Sequence, residues 1–257
     1  MKGYMFGLAS TEKNLVNERK FVGSAAYLDV LRCILDAQCL PDPSYPLGQI
    51  NSIYFDSPAR TAYFEKLNGD NRKSKIRIRW YGADDEAAAE KAGAGKTAER
   101  TAEATTTAFI EVKQRVGASR RKMRLAVEVS SRWIRRVALE DERLVQWLRE
   151  KSVQMEAAEI PVQFVPSICI SYQRRRYVCP ASGSRVSMDY AVRSERVNGN
   201  LFPFVAPAEL DVALCEFKND DGTPPPWAES LYEAGFRWRS FSKYGECMSK
   251  ILLGGAV

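Results

Sequence analysis

Between Ser74 and Tyr81 every second residue is a cation: Lys75, Arg77 and Arg79 alternate with Ile76, Ile78 and Trp80. An extended strand sends alternate side chains to opposite faces, so three positive charges share one face and three large apolar groups the other. The same alternation aligns Glu111, Lys113 and Arg115 in Phe109 to Arg115, Glu18 with Lys20 in Leu15 to Val22, and Glu216 with Lys218. Arginine offers paired donors to phosphate oxygens and lysine a point charge. Interspersed carboxylates suit a hard divalent metal that bridges neighbouring phosphates. One such strand alone is an ordinary half-exposed strand with a solvated charged face. Recurrence on several strands points instead to a shared cationic surface, which is unfavourable empty and favourable once several negative charges occupy it. A triphosphate or longer chain needs that many cations; a single phosphate does not.

The elements that must position these residues follow from the pattern along the chain. Strands are expected at Leu15 to Val22, Gln49 to Phe55, Ser74 to Tyr81, Ala108 to Val116, Lys122 to Val129, Ser167 to Cys179, Arg185 to Val197 and Glu209 to Asn219. Helices are expected from about Ser24, a plausible N-cap, to Gln38, then at Ala59 to Leu67, Ser131 to Ala138, Asp141 to Glu156, after the proline run Pro224 to Pro226, and from Tyr244 onward. The residues from about 83 to 107 are rich in Ala, Glu, Lys and Thr, and read as a low-complexity insertion unable to bury a core. Closing the strands on themselves would satisfy both faces, with charges inside and apolar residues under the helices. The expected architecture is therefore α+β: a closed antiparallel β-barrel of about eight strands, helices packed outside, forming a tunnel. The whole chain, 1–257, is expected to be a single domain.

Composition sets limits on the chemistry. The 257 residues contain 38 Lys plus Arg against 32 Asp plus Glu, a formal charge of +6. That balance suits a polyanion, yet by itself it leaves nucleic acid, phosphate metabolites and no charged partner on equal footing. Histidine is absent. Catalytic triads built on histidine and histidine-ligated zinc are thereby excluded, and any metal must be held by carboxylates, which favours Mg2+ or Mn2+. The six cysteines form no C-x-x-C pair and read as reduced thiols. With no signal peptide and no membrane-length apolar run, the expected location is cytoplasmic, with no transmembrane segment.

The segments NERKF (Asn17 to Phe21), SIYFDSP (Ser52 to Pro58), KIRIRWYG (Lys75 to Gly82), FIEVKQR (Phe109 to Arg115), SYQRRRY (Ser171 to Tyr177), RVSMD (Arg185 to Asp189), CEFK (Cys215 to Lys218) and FSKY (Phe241 to Tyr244) occur in this order. Together they resemble the catalytic domain of the vacuolar transporter chaperone (VTC) family, within the triphosphate tunnel metalloenzymes. The resemblance implies synthesis of polyphosphate from ATP, with ATP and polyphosphate or phosphate as partners and no nucleic acid. It implies Lys20, Arg77, Arg79, Lys113, Lys122, Arg174, Arg185 and Lys243 as the cations that grip phosphates, with Arg124 beside Lys122 in a K-x-R element. Arg77, Arg79, Lys113 and Lys243 are the expected catalytic residues. Glu216 is the implied metal carboxylate, with Glu111 and Glu18 open between metal ligand and salt-bridge partner. Lys218 shares the face of Glu216, and Tyr172 shares that of Arg174, so both join the expected substrate-binding set. Asp56 and Asp189 read as turn or structural residues.

One position departs from the tunnel pattern. Where tunnel hydrolases and cyclases carry E-x-E-x-K on the first strand, this chain has Val16-Asn17-Glu18-Arg19-Lys20. Loss of that first carboxylate weakens a second metal site and tilts the expectation toward polymerisation. Tripolyphosphatase or nucleoside triphosphatase activity, or non-enzymatic polyphosphate binding, is the alternative.

Overall fold

The computed structural model describes residues 17–82, 104–155, 160–219 and 223–254. Ten strands form one antiparallel sheet. They are β1 (Asn17–Gly23), β2 (Leu40–Pro41), β3 (Leu47–Asp56), β4 (Arg72–Tyr81), β5 (Thr105–Val116), β6 (Ser119–Ser130), β7 (Val165–Val178), β8 (Arg185–Val197), β9 (Ala213–Asn219) and β10 (Arg237–Trp238). The order across the sheet is β10-β1-β9-β8-β7-β3-β4-β5-β6, with β2 pairing β7 off this path.

The two end strands, β10 and β6, do not pair with each other. The expected closed barrel of about eight strands with a tunnel is therefore corrected to an open sheet of ten strands that curls without closing. Its curl is visible in the contacts. Lys20 of β1 donates from Nζ to the Phe241 carbonyl at 3.1 Å, and Lys75 of β4 donates to the adjacent Ser242 Oγ at 3.3 Å. Four strands lie between β1 and β4, so only a strongly curved sheet brings both to one dipeptide. Register shifts at Tyr54/Phe55 in β3–β7, and at two places in β7–β8, mark bulges, which sharpen the local twist.

Helices cover the convex side in two groups. Leu31 and Leu35 of α1 (Leu28–Gln38) and Leu231 of α5 (Glu229–Glu233) pack over Phe21, Val186, Cys215 and Phe217. Ile134 of α3 (Ser131–Arg136) and the buried Leu144 and Leu148 of α4 (Glu142–Ser152) pack over Ile53, Ile76, Ile78, Trp80, Ile110 and Val112. The short α2 (Thr61–Leu67) is anchored by Asp56, whose carboxylate accepts from the backbone N–H groups of Ala62 and Tyr63 at 2.8 and 3.0 Å. The last helix, α6 (Lys243–Gly254), lies on the concave side, where Tyr244, Cys247, Met248 and Ile251 bury against Tyr54, Ile168, Ile170 and Tyr172. It plugs part of the concavity and leaves a charged trough beside it.

Several expected boundaries shift. Ser24 caps a 3-10 turn over Ala25–Tyr27 before α1 begins. β9 starts at Ala213 rather than Glu209, and Thr105 to Thr107, expected inside the insertion, begin β5. The remainder of that insertion, 83–103, and Val16 lie outside the described residues. All six cysteines are free. Among the described residues no helix is long and apolar enough to cross a membrane.

Candidate functional site

The alternation that aligns Lys75, Arg77 and Arg79 gains a second dimension from strand register. Lys75 of β4 stands opposite Lys113 of β5, which stands opposite Lys122 of β6. Three lysines thus cross three strands in one row. The next row outward is also cationic, Lys73 to Arg115 to Arg120, and the next inward is Arg77 to Glu111 to Arg124. Directly opposed side chains lie roughly 4.5–5.5 Å apart at Cβ, and like charges so placed are destabilising. The β5–β6 register is held by a tight turn in which Gly117 adopts φ 60°, a left-handed conformation glycine accepts without a Cβ clash.

Glu111 is the carboxylate of this wall and is 3% exposed. Arg77 Nε donates to its Oε2 at 2.6 Å and Arg77 Nη2 lies 2.5 Å away. Arg79 Nη1 is 3.9 Å from Oε2, and Arg124 Nε 3.6 Å from Oε1. Burial works against its charge, but Arg77 and Arg79 hold its carboxyl at about 2. Arg77 also donates from Nη1 to the Tyr54 hydroxyl at 3.2 Å, and Arg79 from Nε to Ser52 Oγ at 3.4 Å. The guanidinium of Arg124 lies 3.7 Å from the Phe109 ring centroid.

Lysines of this wall have no carboxylate within ion-pair distance among the described residues. Desolvation, then the charges of Arg77, Lys113 and Lys20, push Lys75 down to about 8, with Tyr54 opposing. Lys113 is exposed at its surface, yet the surrounding protein desolvates it in part, and together with Arg77 and Lys122 this pushes it to about 8. Lys122 is shifted down by desolvation and by Arg124 and Arg77, partly offset by Glu111. Tyr54 is affected in the opposite sense. Burial alone would raise its phenol, yet Arg77, Lys75 and Arg79 bring it down to about 7.

Across the trough the register pairs unlike charges. Lys20 of β1 stands opposite Glu216 of β9, Glu18 opposite Lys218, and Arg174 of β7 opposite Asp189 of β8. Asp189 is fully buried. It accepts a bidentate pair from Arg174, at 2.5 and 2.6 Å, and a third bond from Lys243 Nζ at 2.6 Å. Burial disfavours its charge, but Lys243 and Arg174 hold its carboxyl far below the usual range. Lys243 also lies 4.4 Å and Arg174 5.5 Å from the Tyr172 ring centroid. Lys218 bridges two carboxylates, 2.5 Å from Glu216 Oε1 and 3.7 Å from Glu18 Oε2, while Lys20 is 2.8 Å from Glu18 Oε1. Burial opposes the charge on Glu216, but Lys218 and Arg174 lower its carboxyl.

Of the sequence-derived residues, Lys20, Arg77, Arg79, Lys113, Lys122, Arg124, Tyr172, Arg174, Lys218 and Lys243 lie on the faces that line the trough. Arg185 shares a row with Lys218 but is exposed at the rim, at the first residue of β8. Among the three expected metal carboxylates, Glu111 is taken up by arginines and does not fit a metal. Glu18 and Glu216 adjoin the same ammonium. Among the described residues no group of three or more metal-binding side chains sits together. Two carboxylates suffice for magnesium, which commonly takes one or two from the protein and the rest from phosphates and water.

Lys75, Tyr54 and Asp189 belong to the trough but were not assigned to the site from sequence. For Lys75 the signal was present, since it shares the face of Arg77 and Arg79. Asp189 lies four residues beyond Arg185 on the same strand face, yet its partners come from β7 and α6, which only the fold brings together. Tyr54 stacks on Tyr244 at 5.1 Å between centroids, across a separation no local pattern reveals.

Comparison with known proteins adds the following. The model of the VTC domain family matches residues 16–252. No curated protein matches the chain significantly. Among solved structures, a protein from Bacillus halodurans provisionally assigned as an adenylate cyclase is similar at 15% identity and TM-score 0.47, over 90% of this chain and 96% of that one. A second, from Vibrio parahaemolyticus and with the same provisional assignment, is similar at 12% identity and TM-score 0.39, over 93% of this chain and 99% of that one.

Proposed function

The chain belongs to the VTC domain family, and on that premise we propose that it is a metal-dependent polyphosphate polymerase, moving the γ-phosphoryl group of ATP onto a phosphate chain. The row Lys75–Lys113–Lys122 is the observation that carries the reading. Like charges in direct register cost stability in the empty protein, and a linear polyanion laid across the strands turns that cost into attraction.

In this reading the triphosphate lies against β4, β5 and β6. Arg77 and Arg79 offer their remaining donors to the transferring phosphoryl group, and Lys113 and Lys243 approach its oxygens from opposite walls. Glu111 fixes the Arg77 guanidinium before substrate arrives, so little reorganisation is needed at the reacting centre. An oxygen of the acceptor's terminal phosphate attacks the γ-phosphorus in line; the bond to the β–γ bridging oxygen breaks, and ADP departs with that electron pair. The acceptor oxygen is already largely deprotonated at neutral pH, so the lack of histidine is no obstacle. Glu18 and Glu216 would hold Mg2+ or Mn2+, which neutralises phosphate charge when bound.

The test is incubation of purified protein with ATP and Mn2+ or Mg2+, followed by gel detection of phosphate chains. A ladder is expected, and Arg77→Ala plus Arg79→Ala should reduce its rate by about 10²-fold or more. Orthophosphate release without a ladder assigns hydrolysis instead, and no turnover under either metal overturns the enzymatic reading.

A further inference from the structure

Three of the free cysteines, Cys39, Cys179 and Cys215, share the apolar cluster beneath α1. Two of them are opposed across strands. β2 pairs with β7 at Leu40–Val178 and Pro41–Tyr177, and one step further along the same register places Cys39 opposite Cys179. Cys39 closes α1 in an extended conformation, φ −135° and ψ 152°, so the strand geometry reaches it. Its N–H donates to the Leu35 carbonyl at 2.8 Å, and that of Cys179 to the Ser184 carbonyl at 2.9 Å. The two cysteines therefore spend their N–H groups elsewhere and stand as a non-hydrogen-bonded pair. Residues opposed in that way come within roughly 4.5 Å at Cα, inside the span of roughly 4.4–6.8 Å that a disulfide bridges. Both side chains bury in the same cluster, so they share a face.

The surroundings hold this pair in register and give its sulfurs unlike chemistry. The Tyr177 hydroxyl donates to Asp36 Oδ1 at 2.9 Å, which ties the last turn of α1 to β7, and the Asp42 N–H donates to the Arg176 carbonyl at 2.8 Å just beyond β2. Burial, then the neighbouring Cys179 and a hydrogen bond with it, push the Cys39 thiol up to about 12. Burial also opposes the Cys179 thiolate, but hydrogen bonds from Ser182 and from the backbone of the turn it stands in bring that thiol below its ordinary value. Cys179 is thus the more nucleophilic of the two. The cover over them is thin. Gln38 and Leu40 flank Cys39 and are exposed, as is the turn from Pro180 to Gly183 that follows Cys179.

We propose that Cys39 and Cys179 form an oxidative modification site: hydrogen peroxide converts the pair to a disulfide that fastens β2 to β7, and a dithiol restores both thiols. The Cys179 thiolate attacks one peroxide oxygen, the O–O bond breaks, and a sulfenic acid forms as hydroxide leaves. The Cys39 sulfur then attacks the Cys179 sulfur, the S–O bond breaks, and the oxygen departs as water with the Cys39 proton. The hydroxide of the first step takes up the proton that Cys179 released. In sum the two thiols give up two electrons and two protons, and the peroxide is reduced to two waters. Cys215 stands opposite Phe21 and Met188 rather than a cysteine, so it stays a thiol. The site is independent of the phosphate reading above.

The test is treatment of the folded protein with hydrogen peroxide, alkylation of the remaining thiols before unfolding, and peptide mapping without reductant. A peptide pair joined through Cys39 and Cys179 is expected in wild type, absent after dithiothreitol, retained in Cys215→Ala and lost in Cys39→Ala. Urea unfolding without reductant should give oxidised wild type a folding equilibrium constant about 10²-fold above that of the reduced form, because the bond closes a long loop of the unfolded chain. Cys39→Ala treated in the same way should show no such gain. The mapping is read on wild type, so it decides the matter even where a core variant does not fold. No joined pair, a pair that includes Cys215, or over-oxidised Cys179 beside an alkylated Cys39 overturns the site, as does an oxidised protein no more stable than the reduced one.

Discussion

The two walls of the trough use similar side chains in opposite arrangements. On the β1–β9–β8 side, register places Lys20 against Glu216 and Lys218 against Glu18, while Arg174 of β7 faces Asp189. On the β4–β5–β6 side it places Lys75 against Lys113 against Lys122. The first wall is neutralised within the fold, so its cations are held in place and their energy is already committed to the protein. Among the described residues, the lysines of the second wall have no carboxylate at ion-pair distance, and Glu111, one row away, is taken up by arginines. Rigid cations and unsatisfied cations do different work: one orients, the other attracts.

Removing a carboxylate from the paired wall should have the largest effect. Asp189→Ala strips Arg174 and Lys243 of a shared buried partner and should cost about 3–5 kcal/mol of stability, read by urea unfolding. A cost below about 1 kcal/mol would mean that the pairing does not hold that wall together.

On the other wall the sign should reverse. Lys75→Met removes a half-buried ammonium whose partners among the described residues are Ser242 Oγ and the Tyr54 ring. It should stabilise the free protein by about 1–3 kcal/mol while weakening tripolyphosphate binding about tenfold. Destabilisation on removal of Lys75 would erase the contrast between the walls.

A pH series sharpens the contrast further. Tyr54 ionises at about 7 in the fold against 10.0 ordinarily, and Lys75 at about 8 against 10.5. Between those values the unfolded chain holds more protons than the native one, so stability of the free protein should climb from about pH 7 to 10. Ligand affinity should move the other way. A bound polyanion favours protonated Lys75, Lys113 and Tyr54, so tripolyphosphate binding should weaken from pH 7.5 to 9, above the second phosphate ionisation near about 6. Tyr54→Phe should flatten the lower part of that decline. Parallel slopes for stability and affinity would contradict the assignment.

The smallest effect is expected at the rim. Arg185→Ala, exposed at the start of β8, should alter stability by no more than about 0.5 kcal/mol.

The strand faces were legible in the sequence because alternation is a local property. Ile76, Ile78 and Trp80 do bury under helices, while Lys75, Arg77 and Arg79 do face the trough. Closure was not legible. Whether the last strand meets the first depends on the curl accumulated over every bulge, and the expectation of a closed barrel failed there. Strand register, which turns separate cations into a row, depends on the turn at Gly117 and on pairings across the β4–β5 connection. Asp189 was set aside as structural because a lone Asp on a strand reveals nothing of an Arg fifteen residues back or a Lys from the final helix. Glu111 was left open between metal ligand and ion-pair partner, and only the convergence of Arg77, Arg79 and Arg124 decides in favour of the ion pair.

The central claim is that the lysine row is charged at a cost that a polyanion relieves. It is tested most directly by titrating tripolyphosphate into the protein at pH 8 in two buffers of different ionisation enthalpy. Lys75 and Lys113 are each close to half-protonated there, so in a Tyr54→Phe background, where the phenol cannot contribute, binding should take up about one proton, and the uptake should vanish when Lys75→Met and Lys113→Met are added. Tight binding with no proton uptake, or with proton release, would contradict it.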